Sequence, residues 1–401
     1  MTHARRAQAA SLGGWLQRHP YALPVVILLV GAVFRFYNLN WDNGHTLHPD
    51  ERFIYEVVSG ANGNPPLSWP NSIQQFLDGR DPRGGMALHP GVGSPLNPHD
   101  FAYGSLPFYL LAFLAGIASF LGQHLGFLSG WAAANAYGNL PMLGRALSGV
   151  LDLVSVALVF ILGRRVFGYW AGVVAMALTA LTVLDIQLSH FYTVDTVLLP
   201  FVLLTLLAAV KMASSPGRRS AYIWGGIVLG AALATKTTAL LLVIPLGAGA
   251  VLGAWSGSPW PAGGPLVDRL QRHYRAVGPA LNKNLQTLLG TLFIAALAFA
   301  ILEPYGLIDR SLLVANIAQQ NTYLVTNNPP FEVPFTIQYA GDTSYVFQIQ
   351  NMLFWTMGIP LALAAFAGVL WGIVRLLRLR LRADRLVLLL WIVPYFLFVG
   401  R

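Results

Sequence analysis

Three short polar clusters interrupt a mostly apolar chain, and each has residue types that could do chemistry. The first is Leu47-His48-Pro49-Asp50-Glu51-Arg52. Pro49 restricts His48 to extended conformations and suits the first turn of a helix. Phe53, Ile54, Val57 and Val58 follow at helical spacing. Asp50 and Glu51 therefore fall in the N-terminal turn of an amphipathic helix on a membrane surface. Acidic residues there can simply complement the helix dipole, worth roughly 0.3–1 kcal/mol. The alternative is an acid pair held where a lipid headgroup and a water-borne substrate could meet. Adjacent side chains on a helix point about 100° apart. One carboxylate could then do chemistry, while the other orients a neighbour.

The second cluster is Leu188-Ser189-His190-Phe191-Tyr192-Thr193-Val194-Asp195-Thr196, between two apolar runs. Asp195 can cap the helix that starts there, yet an ionisable group at that depth is also a site hypothesis. The third is Ala234-Thr235-Lys236-Thr237-Thr238. Lys236 either snorkels to the membrane interface or meets a phosphate, with threonine hydroxyls as added donors. Arg145, at the start of another apolar run, has the same two readings. Asp152 lies deeper and is expected to pair inside the bundle. His45, His48, His89 and His99 could join Asp50 as metal ligands. Their spacing matches no closed zinc pattern, so a divalent metal is not favoured and no cofactor is assigned. The absence of a Gly-rich phosphate loop, of GxSxG and of HExxH disfavours nucleotide-driven motors and serine hydrolases.

The elements that must position these clusters are membrane helices. Of 401 residues, 55% are apolar and only 10% charged, against about 25% charged in soluble proteins. A mean hydropathy of +0.58 agrees. Soluble-enzyme, disordered and fibrous classes are excluded. Apolar runs lie at about 20–37, 106–136, 141–163, 169–186, 195–213, 221–234, 238–254, 286–303, 351–374 and 386–400. An all-α polytopic membrane protein with about nine or ten transmembrane helices is expected. The absence of cysteine excludes disulfides and thiolate metal sites. The net charge of +9 fits basic cytoplasmic loops beside anionic lipid and does not call for nucleic acid.

Those basic loops also orient the chain. Clusters lie at Arg164/Arg165, Lys211/Arg218/Arg219, Arg269/Arg272/Arg275/Lys283 and Arg375/Arg378/Arg380/Arg382/Arg385. If every run crosses once, all four fall outside, against the positive-inside rule. If 106–136 makes no net crossing, all four join the N-terminus inside. That run is broken by Gly122, Gln123, His124 and Gly126, so it reads as re-entrant or surface-lying, each half short for a span. The expectation is an integral plasma (inner) membrane protein with a cytoplasmic tail over 1–19. Its first outer loop runs over about 38–137 with surface helices, and its second over about 303–350. The polar clusters then face away from the cytoplasm, within a single domain spanning 1–401. The first run, after Arg5, Arg6 and Arg18, reads as an uncleaved anchor. The chain stops at Arg401 just as its last run completes, from which a truncated product is expected.

With these motifs in order, the sequence resembles the C-class (GT-C) membrane glycosyltransferases. Within them it is most similar to the family-39, protein O-mannosyltransferase-like branch and its bacterial relatives. The resemblance rests on Asp50-Glu51 after the first span and on Gly144-Arg145-Ala146-Leu147-Ser148-Gly149 opening a span that ends Leu162-Gly163-Arg164-Arg165-Val166-Phe167-Gly168. The His190…Asp195 loop and Ala234-Thr235-Lys236-Thr237 add to it, with 338–342 through Gln350-Asn351 a looser likeness. It implies a GT-C-like bundle and a polyprenyl-phosphate-linked sugar as donor. It further implies inverting transfer to a hydroxyl acceptor, on protein or on an envelope glycan or lipid. Asp50 would be the general base and Glu51 its positioning partner. Asp195 and His190 would form the second acidic loop, with Lys236, Arg145 and Arg52 as candidates for the donor phosphate. The rival class is a multi-span transporter or flippase. Transporters place substrate near the midplane on broken helices, whereas here the acids crowd one surface.

Overall fold

The computed structural model describes residues 18–69, 72–80, 90–215, 217–258, 260–325, 343–378 and 381–400. The described secondary structure is entirely helical. The first apolar run forms α1 (Ala22–Phe36), followed by the amphipathic α2 (Pro49–Ser59). Then come α3 (Leu106–His124), α4 (Leu140–Phe167), and the pair α5 (Tyr169–Leu181) and α6 (Val183–Ser189), bent by 57° at Thr182. The centre of the bundle is α7 (Val194–Ser214), flanked by α8 (Arg219–Leu233) and α9 (Val243–Gly257). The chain continues through α10 (Leu266–Leu302), the short α11 (Pro304–Ile308), α12 (Arg310–Val325), α13 (Ile359–Leu377) and α14 (Ala383–Val399).

Among the described residues six helices are long and apolar enough to cross a membrane, or seven with the bent pair as one span. The expectation was nine or ten. The difference is one of length: α1 and α8 have 15 residues and α14 has 17, against about 20 for a full crossing. The core forms where α7 packs on α4, α8, α9 and α14. Small residues also let the backbones of α8 and α10 approach closely. A Cβ on Gly226 or Gly230 of α8 would come within 2.5 Å of the Thr291 or Ala295 carbonyl oxygen of α10.

Charge separates the two ends of this bundle. At one end the Arg164 guanidinium donates to the Tyr21 hydroxyl (3.2 Å), Arg165 to the Ser214 hydroxyl (3.1 Å), and Arg385 lies over the Phe167 ring. At the other end lie Asp42, Glu51 and Arg145, the Asp195–Lys236 pair, and Glu303. Midway, Arg35 is ion-paired with Asp152 in the buried interior and also donates to the Ala180 carbonyl at 2.8 Å. The deep acid is thus neutralised within the bundle, as its position in the run led us to expect.

The run 106–136 departs from the expected pair of short halves. The Gly122–His124 break comes so late that α3 keeps 19 residues, enough for a span. Its first half nevertheless packs with Tyr55, Leu140 and Val194 in one cluster, and the Leu106 amide donates to the Ala234 carbonyl. α4 starts at this same end, with Leu140 and Arg145. The chain therefore enters and leaves the α3 region at one end of the bundle.

Candidate active site

Local sequence makes α2 start where it does. His48 is extended (φ −78°, ψ 125°), Pro49 takes the first helical position, and Gly60 closes the helix in the left-handed region (φ 78°). Glu51, Ile54, Tyr55, Val57 and Val58 face inward and are buried. Glu51 therefore shares the core face, whereas Asp50, one residue earlier, is half-buried at its margin.

Glu51 is fully enclosed. It accepts from Arg145 Nε and Nη2 at 2.8 Å each, from the Tyr55 hydroxyl at 2.8 Å, and from the Tyr192 amide at 3.2 Å. Arg145 is equally buried. Its remaining N–H groups reach Asp42 at 2.8 and 2.6 Å and the Leu39 carbonyl at 2.8 Å. All five guanidinium donors are thus taken up within the protein. Hydrogen bonds from Arg145 hold the Asp42 carboxyl down at about 2. Asp42 was not singled out in the sequence, since nothing local marks it as a partner for a residue 103 positions away.

Asp50 faces the other environment. Burial, and then the adjacent Asp50 carboxylate, push the Tyr103 phenol above its ordinary value. Tyr103 also feels the charge of Asp195. Asp195, in the first turn of α7, is exposed and pairs with Lys236 Nζ at 2.9 Å. Burial opposes the lysine's charge, but Asp195 outweighs it and raises its pKa, with a smaller contribution from Asp50. Tyr395 of α14 lies within electrostatic reach of Lys236 and Asp195. Asp50, Asp195 and Lys236 are thereby brought together, with Tyr103 and Tyr395 added. Tyr103 carried a weak signal, a polar aromatic just before an apolar helix. Tyr395, inside an apolar run, carried none.

A short backbone pairing holds this group in place. The Gly104 amide donates to the Thr235 carbonyl (3.1 Å) and the Leu106 amide to the Ala234 carbonyl (3.0 Å). A Cβ at Gly104 would lie 2.0 Å from the Ala234 oxygen. Next to it, the buried Glu303 carboxylate accepts from the Ser105 hydroxyl at 2.6 Å and from the Ser105 amide. Burial lifts Glu303 to about 7.

The remaining candidates lie elsewhere. The His190 ring nitrogens face the Ile186 and Tyr37 carbonyls at 2.8 and 2.9 Å, tying α6 to the end of α1. Arg52 is exposed and makes no ion pair among the described residues. His48 packs on Phe191, with ring centroids 4.6 Å apart. Among the described residues no three His, Asp or Glu side chains are grouped to hold a metal. His89 and the stretch 338–342 lie outside the described residues.

Residues 135–266 match the family described as dolichyl-phosphate-mannose-protein mannosyltransferase. No curated protein matches the chain in sequence. The Archaeoglobus fulgidus oligosaccharyltransferase tethered to an acceptor peptide with the NVT sequon is similar in structure. Its TM-score is 0.54 and its identity 16%, over 96% of this chain and 47% of that one. The same enzyme in complex with Zn and sulfate gives 0.50 and 15%, over 94% and 46%. ArnT from Cupriavidus metallidurans bound to undecaprenyl phosphate gives 0.38 and 17%, over 97% and 60%. The chain spans just under half the length of the oligosaccharyltransferase, and at such identity the likeness is one of fold. The chain is therefore similar over residues 135–266 to the dolichyl-phosphate-mannose-protein mannosyltransferase family, and it shares an all-helical membrane fold with the oligosaccharyltransferase.

Proposed function

We propose that the protein is an inverting membrane glycosyltransferase that moves a sugar from a polyprenyl-phosphate donor to a hydroxyl acceptor, with Asp50 as general base. The observation that carries this reading is the division between two adjacent carboxylates. Glu51 is locked by Arg145, Tyr55 and the Tyr192 amide, which fixes α2 and leaves Asp50 half-buried at its margin, within electrostatic reach of Lys236 in the Asp195–Lys236 pair. The family description, which names a dolichyl-phosphate sugar, supports the donor class.

An alcohol is a weak nucleophile, so a placed carboxylate speeds its attack by about 10²–10⁴. The acceptor oxygen bonds to the anomeric carbon as its proton passes to Asp50. The bond from that carbon to the phosphate oxygen breaks, and the phosphate leaves with the electron pair. Lys236 stabilises the charge gathering there. Arg145 has no donor free for a phosphate, so its part is to hold Glu51 and Asp42. The concentration of basic groups at the opposite end of the bundle supports an extracytoplasmic site in the plasma (inner) membrane, with a cytoplasmic N-terminus.

The test is transfer in detergent, with the purified protein, a polyprenyl-phosphate sugar and a hydroxyl acceptor. Product is expected without any membrane barrier, which a transporter would not give. Asp50→Asn should lower turnover by about 10²–10⁴ while donor binding persists. Turnover at the wild-type level in that variant would remove Asp50 from the mechanism.

A further inference from the structure

At the end of the bundle away from Lys236, α7 and α8 part to leave a groove of about 480 Å³. Its walls are apolar toward the membrane interior, with Leu204 and Leu207 on α7 and Val228 on α8. Its mouth is polar, formed by Lys211, Arg218 and Ser220. The groove exists because small residues face the contact: Ala208 and Ala221 both line it, and a Cβ on neighbouring Gly225 would lie only 3.4 Å from that of Ala208. The helices touch at that point, so the space opens beside it toward lipid. Trp224, 61% exposed, stands at its edge, and an indole favours the level of lipid headgroups.

The two cations at the mouth are unspent. Among the described residues neither the Lys211 nor the Arg218 side chain meets a carboxylate. Arg165, close by, is instead bound to Ser214. Lys211 lies 16 residues along α7 from Asp195, about 24 Å at 1.5 Å per residue. A ligand here therefore does not share the site around Asp50.

We propose that this groove is a binding site for one anionic glycerophospholipid, its phosphate held by Lys211 and Arg218 and an acyl chain lying along Leu207, Leu204 and Val228. Charge complementarity selects the ligand. Basic pockets between membrane helices attract anionic headgroups, a zwitterionic headgroup brings its own ammonium against the two cations, and the apolar walls exclude free phosphate as the natural occupant. The bound chain also covers the flank of α8, which is short for a span.

Native mass spectrometry of the full chain in detergent tests this, with dioleoyl-phosphatidylglycerol, dioleoyl-phosphatidylethanolamine and inorganic phosphate as separate probes. One phosphatidylglycerol should be retained more tightly than phosphatidylethanolamine, and millimolar phosphate should not displace it. The double variant Lys211→Gln, Arg218→Gln should weaken that binding roughly tenfold or more. Ala208→Leu, which fills the groove and leaves both charges, should weaken it as well. If Ala208→Leu does not fold, Ser220→Trp on the exposed side blocks the mouth instead. Equal retention of both phospholipids, binding unchanged in the groove and charge variants, or displacement by inorganic phosphate would each overturn the proposal. So would preferential retention of undecaprenyl phosphate when it competes with phosphatidylglycerol.

Discussion

Glu51 and Arg145 meet through two parallel hydrogen bonds of 2.8 Å, 94 residues apart in the chain and fully shielded from solvent. The pair joins the surface helix α2 to the first turns of α4, and Asp42 completes it from the turn between α1 and α2. The helix that carries Asp50 is held by this ion cluster as much as by its apolar face.

Removing the cation leaves two buried carboxylates without a counter-charge. Arg145→Met should cost about 3–5 kcal/mol, seen as a large fall in melting temperature in detergent. Arg145→Lys should recover only part, because a point charge cannot serve two carboxylates in fork geometry. A lysine variant as stable as the parent would contradict the five-donor arrangement.

Lys236 separates affinity from stability. Its pair with Asp195 is partly exposed, and such pairs are worth about 0–1 kcal/mol. Lys236→Met should therefore barely change the melting temperature. Losing a charge-assisted hydrogen bond of about 1.5–3 kcal/mol to the donor phosphate should weaken donor affinity by roughly tenfold to a hundredfold. Unchanged affinity in a titration with polyprenyl phosphate would return Lys236 to a snorkelling role.

Gly104 has no room for a side chain, since a Cβ would meet the Ala234 oxygen at 2.0 Å and the Thr235 amide nitrogen at 2.9 Å. Gly104→Ala should break the backbone pairing that sets Tyr103 beside the Lys236 segment, lowering both melting temperature and donor affinity. Gly116→Ala in α3 is the control. Nothing lies within 4 Å of its Cβ position, and helix propensity favours alanine.

Glu303 links stability to pH. Its value rises from 4.5 to about 7 on folding because it is buried. The folded state therefore holds its proton more tightly. This contribution is complete below about 4.5 and is lost as pH rises to 7, at about 1.4 kcal/mol per pH unit. Melting curves from pH 4.5 to 8 should show wild type losing stability relative to Glu303→Gln. Parallel curves would place the titration elsewhere.

Some of this was legible in the linear pattern because it is local. Pro49 sets the start of α2, helical spacing fixes its buried face, and the 100° turn between Asp50 and Glu51 puts the two side chains in different surroundings, Glu51 in the core and Asp50 at its margin. The basic loops likewise foretold a bundle with opposite charge at its two ends. Span count was less legible, since apolar runs do not show where a helix stops short, as α1 and α8 do.

Partner choice belonged to the tertiary structure. Arg145 read equally well as a phosphate ligand until Glu51, Asp42 and Leu39 claimed every N–H. Tyr103 and Tyr395 reach the Lys236 segment from positions far along the chain on either side of it. Periodicity specifies which face of a helix is buried. Only the packing of distant segments specifies which charge meets which, because an ion pair depends on a few ångströms of separation that no local spacing encodes.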